Sequence, residues 1–219
     1  MIARVDDQVD DRVRLQVASM GGRAVLEAYG VGRAVLHDAA DLLEELELLW
    51  SRFEPSSELN ALCRAAGTPV RVSKRTFGLV EALVDAWFRT GGRFDPTIRR
   101  ALEAHGYDRD FLDIRPVIGG AHMSATGPSP GCENIVLDAA ELIVELPVGM
   151  LLDAGGLAKG LAADIVASFV MERGATGVVA NLAGDIRTMG VGPLDGSRLR
   201  RGSSSCSPSS RSRTPRAPM

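Results

Sequence analysis

The chain has 219 residues, 45% of them hydrophobic and 24% charged, with a formal net charge of −3. That length and apolar content suit one domain, or one and a half, with a real core, and the near-balanced charge gives no electrostatic reason to expect a nucleic-acid partner. The cysteines, Cys63, Cys132 and Cys206, are odd in number and lack CxxC spacing, which argues against a disulfide framework and against a zinc site.

The first stretch, MIARVDDQVDDRVRLQV, is acidic and has no apolar h-region, and no run reaches about 18 apolar residues. The expectation is a soluble, cytoplasmic protein without a membrane segment. Val13 to Ser19 and Arg23 to Tyr29 alternate apolar and polar residues around Met20-Gly21-Gly22, the pattern of a β-hairpin with a glycine turn. From Gly32 to about Phe53 a helix is expected, with Val35, Leu36, Ala39, Leu42, Leu43, Leu46, Leu49 and Trp50 on one apolar stripe. His37 lies within it, and neither it nor His105 or His122 has a metal-ligand spacing. Ser57 is a plausible N-cap for a short helix that Gly67 ends, and Pro69 to Val72 suggests a short strand.

Ser73 would cap a further helix in which Phe77, Val80, Leu83, Val84, Trp87 and Phe88 fall at helical spacing, with core packing the expectation for the last two. Thr90-Gly91-Gly92 is its stop signal. Next comes Arg93-Phe94-Asp95-Pro96-Thr97, where an acid precedes a proline that can open the next helix; read by itself, Asp95 is an N-cap. Residues from about Tyr107 to Cys132 are irregular, and Asn134 to Asp138 with Glu141 to Leu146 suggests a second hairpin.

The chemistry concentrates in Asp153-Ala-Gly-Gly-Leu-Ala-Lys-Gly160, which leads into a helix ending near Gly174. Glycines let the backbone approach a ligand, amides at a helix start carry partial positive charge, and Lys159 in the first turn adds a full one. That layout suits an anion. A strand-to-helix turn with a surface lysine fits the same residues, and neither a Walker A loop nor a GxGxxG fingerprint is present. Val178 to Leu182 and Ile186 to Met189 then suggest strands around Ala183-Gly184-Asp185, giving a mixed α+β architecture of antiparallel hairpins and long helices. From Gly192 the composition turns to Ser, Arg and Pro, so residues 1–192 are expected to form the domain and 193–219 a disordered low-complexity tail.

Five blocks in order resemble the ApbE-type flavin transferases (FAD:protein FMN transferases). They are Met20-Gly21, Ser51-Arg-Phe-Glu-Pro-Ser-Ser-Glu-Leu59, Thr90-Gly-Gly-Arg-Phe-Asp-Pro-Thr97, Asp153 to Gly160, and Asn181-Leu-Ala-Gly-Asp185. The resemblance implies an ApbE-like (T-fold-like) domain and an Mg²⁺-dependent enzyme that splits FAD and joins FMN to a Thr or Ser of an acceptor protein. FAD and Mg²⁺ are its implied cofactors. By the same resemblance Met20, Phe53, Arg93, Phe94, Asp95, Asp153 and Lys159 would contact FAD, and the Gly156 backbone carbonyl would bind the metal, with no residue assigned a catalytic role. Phe53 stands where many members have Tyr, Cys63 where they usually have Asn, and Ala183 where they usually have Gly. The family's later His-containing and Asp/Thr segments have no counterpart here, which implies a domain lacking the family's C-terminal part, as a frame shift near Pro193 to Leu199 would produce. The alternatives are a non-catalytic FAD-binding relative and, from another class, an interaction protein acting through its basic tail.

Overall fold

The computed structural model describes residues 5–9, 11–107 and 128–192. The expected tail and the stretch 108–127 lie outside them. Two antiparallel sheets and five helices are formed by the described residues. The larger sheet has the order β1-β2-β3-β7-β8, from Val5–Val9, Arg12–Ser19, Gly22–Tyr29, Gly177–Leu182 and Asp185–Gly190. The smaller has the order β4-β6-β5, from Pro69–Arg71, Ile143–Glu145 and Val136–Asp138. The helices are α1 (Arg33–Trp50), α2 (Glu58–Arg64), α3 (Lys74–Thr90), α4 (Arg99–Ala104) and α5 (Ala158–Glu172). No helix is long and apolar enough to cross a membrane among the described residues.

Period-two patterning builds the large sheet. Val13, Leu15 and Val17 of β2 and Ala24, Leu26 and Ala28 of β3 face inward, while the residues between them are partly or fully exposed. A one-residue slip would turn every one of those side chains outward, so burial fixes the register Leu15↔Leu26. Helices α1 and α5 pack on the sheet and against each other. Most of the α1 stripe is buried there, Leu36, Leu43 and Leu46 fully, at about 2 kcal/mol of transfer free energy for each leucine, while Val35 and Leu49 are only partly buried.

Two turns lie together at one end of this sheet. Ser19↔Gly22 closes the β2–β3 hairpin around Met20 (φ 51°) and Gly21 (φ 70°). Leu182↔Asp185 closes the β7–β8 hairpin around Ala183 (φ 53°) and Gly184 (φ 105°). Positive φ at both central residues is the two-residue turn whose twist matches the strands, but only glycine adopts it freely. The turns abut: a Cβ on Gly22 would stand 2.7 Å from Ala183 Cβ.

Several sequence expectations need correction. A short strand, β1, precedes the first hairpin, and the periodicity of VDDQV does not announce it. Phe88 is 57% exposed and Trp87 half-buried, so this aromatic pair is not core; the two rings pack edge to face at the end of α3. The stop after α3 holds, with Gly91 at φ 61°. Helix α4 starts only at Arg99, its N-cap position is Ile98, and no side chain caps it. Asp95 is therefore not an N-cap.

Candidate active site

A cavity of about 450 Å³ opens where the two hairpin turns, the end of α1 and the Gly-rich turn before α5 meet. Met20, Gly21 and Ala183 form one wall; Trp50 to Phe53 and Tyr107 form another, and Asp153 to Gly155 with Ala158 and Lys159 close the third. Of the residues expected to contact FAD, Met20, Phe53, Asp153 and Lys159 thus converge from three distant stretches of chain. Arg93, Phe94, Asp95 and Gly156 do not line the cavity.

The turn itself is more self-contained than its sequence suggests. Asp153 Oδ1 accepts from the Gly155 amide at 2.7 Å, and the Ala154 carbonyl accepts from Leu157 and Ala158. Three of the amides expected to stand free for an anion are therefore bonded inside the turn. The positive contribution that remains is Lys159, half-exposed on the cavity wall and without an ion pair among the described residues. The Asp153 amide donates to the Pro96 carbonyl at 2.7 Å, which anchors the turn to the Arg93–Thr97 segment. Behind the turn, a Cβ on Gly156 would stand 3.1 Å from the Phe94 ring, so glycine there permits close packing against Phe94.

The other carboxylate oxygen of Asp153 faces Arg52. Arg52 Nε lies 2.9 Å from Oδ2, with the two side chains 6% and 9% exposed. The contact is an ion pair without a directed hydrogen bond, because Oδ2 is buried and receives none. Arg52 Nη2 donates to the Tyr107 carbonyl at 2.8 Å, and its Cζ stands 4.4 Å from the ring centres of both Phe53 and Tyr107. Trp50 adds to the same wall a buried indole N–H without a partner among the described residues.

Asn60 builds this wall from beneath. Its Nδ2 donates to the carbonyls of Arg52 at 3.0 Å and Glu54 at 2.8 Å and reaches that of Ser51 at 3.4 Å. Its Oδ1 accepts from Arg99 Nη1 at 2.7 Å. Ser57 caps α2 through the Asn60 amide, as expected. Arg52, Asn60, Trp50 and Tyr107 are the site residues that sequence reasoning missed. Arg52 lies inside one of the resembling blocks, between Ser51 and Phe53, and that was its only signal; Tyr107 is 55 residues away and gave none.

Asp95 is engaged elsewhere. Its Oδ1 accepts from the Thr97 amide at 2.8 Å and the Thr97 hydroxyl at 2.6 Å, and its Oδ2 accepts from the Ser129 hydroxyl. Burial would raise its pKa, but these bonds and one from Trp87 outweigh that and hold the carboxyl below its ordinary 3.8. Thr97 Oγ1 in turn accepts from the Gly131 amide, so Asp95 organises a loop junction behind the cavity. At the Asn-to-Cys departure, Cys63 Sγ accepts from the Leu152 amide at 3.3 Å, so a polar contact beside Asp153 persists. Burial pushes the Cys63 thiol up, and burial with Asp95 and Glu133 nearby pushes Cys132 to about 12. Both are buried free cysteines.

Among the described residues no group of three or more His, Cys, Asp and Glu side chains comes together. Mg²⁺ is commonly held by one or two protein oxygens together with substrate phosphates and water, and Gly156 offers one backbone oxygen.

Comparison with known proteins agrees with this architecture. A FAD:protein FMN transferase of Klebsiella pneumoniae is 28% identical over 179 residues, which are 78% of this chain and 54% of the relative. One from Treponema pallidum is 29% identical over 174 residues, 72% of this chain and 45% of the relative. The chain thus spans about half the length of the curated relatives it matches. Among solved structures, the flavin transferase ApbE from Vibrio cholerae superposes with a TM-score of 0.69 at 20% identity, covering 88% of this chain and 62% of that one. The Pseudomonas stutzeri flavinyl transferase ApbE gives 0.67 at 19%, covering 88% and 61%. These likenesses carry the fold: an α+β domain of the ApbE type. The model of the ApbE family matches residues 12–201, most of the chain, and the chain belongs to that family.

Proposed function

We propose that this chain carries the flavin-nucleotide half-site of a FAD:protein FMN transferase. The observation that carries the reading is convergence: Met20, Phe53, Asp153 and Lys159, distant in sequence, surround one cavity. The matched relatives named FAD:protein FMN transferases support the same substrate. In the proposed reaction an acceptor Thr or Ser hydroxyl attacks the FMN phosphorus of FAD. The bond to the bridging pyrophosphate oxygen breaks, and AMP leaves with it. The chain's own residues bind and orient. Met20 and Phe53 offer apolar and aromatic surface to a ring, Lys159 offers charge to a phosphate, and Asp153, bordering the cavity, holds the Gly-rich turn in shape through Oδ1. Mg²⁺ dependence belongs to the proposal by resemblance alone, since Gly156, whose carbonyl would be one ligand, stands outside the cavity lining, and no step is routed through the metal.

The test is titration of the purified chain with FAD, monitored by quenching of flavin fluorescence. It is paired with an assay for AMP release and FMN transfer to a Thr-bearing acceptor, with and without Mg²⁺. Saturable binding that Lys159→Ala weakens supports the half-site. No saturable binding at millimolar FAD refutes it, and binding without AMP release leaves a flavin-binding domain in place of an enzyme.

A further inference from the structure

We propose that Arg52 is the positioning residue of this cavity, one planar cation that fixes the Asp153 carboxylate on one wall and the Phe53–Tyr107 pair on another. The inference rests on the flavin-nucleotide reading of the site. Three contacts meet on the guanidinium: the ion pair with Asp153 at 2.9 Å, donation to the Tyr107 carbonyl at 2.8 Å, and 4.4 Å approaches to both aromatic ring centres. The rings stand nearly perpendicular, 81° apart with centres 6.0 Å apart, so each presents a face to the guanidinium.

Only a planar, delocalised cation makes all of these contacts at once. An ammonium is a point charge that can pair with Asp153 but cannot stack on two rings while reaching a carbonyl. Arg52 is also nearly solvent-free, so its removal would leave Asp153 buried beside no counter-charge. Asn60 holds the Arg52 carbonyl at 3.0 Å, so the backbone under the guanidinium is fixed before any ligand arrives. Asp153 Oδ2 is buried with that charge beside it, so Arg52 sets where the carboxylate, which borders the cavity, stands. Arg52 therefore acts through Asp153 and Phe53, and its contribution to binding should shrink to the Phe53 part where Asp153 can no longer answer to it.

The experiment is a double-mutant cycle on FAD affinity in the full chain, using Arg52→Met, Asp153→Asn and the pair, with Arg52→Lys alongside. Flavin fluorescence reads the dissociation constant, and a thermal melt of each sample reads the fold. The expected results are a loss of about tenfold or more for Arg52→Lys, a larger loss for Arg52→Met, and a much smaller effect of Arg52→Met once Asp153→Asn is present. A merely structural arginine would lower the melting temperature and give additive losses in affinity. Wild-type affinity in Arg52→Lys, or equal effects of Arg52→Met in both backgrounds, overturns the proposal. Should Arg52→Met not fold, Arg52→Lys, which keeps charge and stem, decides it. Absence of saturable FAD binding by the wild type instead overturns the flavin reading, and this proposal with it.

Discussion

Asn60 is one buried side chain holding a whole turn in place, and Asn60→Ala tests that. The substitution removes donation to the carbonyls of Arg52 and Glu54 and acceptance from the Arg99 guanidinium, while helix α2 keeps its leucine anchors Leu59 and Leu62. A neutral bond contributes about 1 kcal/mol net and one to a charged group about 2. The 3.4 Å contact to Ser51 adds little, since the amide has only two protons to give. Discounting for carbonyls that water can reach again, the loss is about 3 kcal/mol. For a domain of this size that lowers the melting temperature by roughly 6–12 °C. Urea unfolding followed by far-ultraviolet circular dichroism should show a lower midpoint with an unchanged slope. FAD affinity should fall as well, because the 51–54 turn carries Arg52 and Phe53 to the cavity. A stability change under about 1 kcal/mol, with native affinity, refutes the claim that Asn60 organises the turn.

Three further outcomes concern the hairpin turns and Asp95. Ala183→Gly should stabilise by about 0.5–1 kcal/mol, since a left-handed alanine costs more than the extra unfolded-state freedom of glycine. Gly22→Ala should destabilise by about 1–3 kcal/mol through the 2.7 Å approach to Ala183 Cβ, but only slightly in the Ala183→Gly background, where the next atoms lie 3.9 Å away; additive effects in denaturant would contradict this. At Asp95 the folded pKa lies below 3.8, so its stabilisation is present above that pH and is lost as pH falls through the depressed value. Melting curves between about pH 2 and 6 should show a shallower acid limb for Asp95→Asn than for wild type, and parallel limbs would refute it.

What the sequence made legible was whatever depends on local spacing. Alternation in β2 and β3 gave the hairpin, the stripe of α1 gave its buried face, and Ser57 and Ser73 cap their helices through the Asn60 and Thr76 amides. The cavity was half legible. Met20, Phe53, Asp153 and Lys159 were legible because each lies in a contiguous block that carries the family resemblance, and the cavity brings those blocks together. The contacts that join the blocks were not legible. An arginine pairing with an acid 101 positions on leaves no periodic trace, and neither does an asparagine whose partners are main-chain carbonyls. Asp95 misled for the opposite reason: an acid before Pro96 has a local signature, and the tertiary partner Ser129 decided its use.

The departure at position 53 illustrates why such contacts govern the site. Tyrosine is usual there by resemblance, and phenylalanine removes a hydroxyl, which read alone suggests a weakened site. In the folded chain the ring is held by its surfaces, one toward the Arg52 guanidinium at 4.4 Å and one in an edge-to-face contact with Tyr107. A cation over an aromatic face is attracted by the ring quadrupole, which phenylalanine and tyrosine share, and a pair of this kind with one partner open to solvent contributes about 1 kcal/mol without any hydroxyl. Phe53 is 36% exposed, so the ring still offers surface to the cavity while its back is fixed. The side chain whose loss would disarm this wall is therefore Arg52, since both rings lean on it and neither can replace the other.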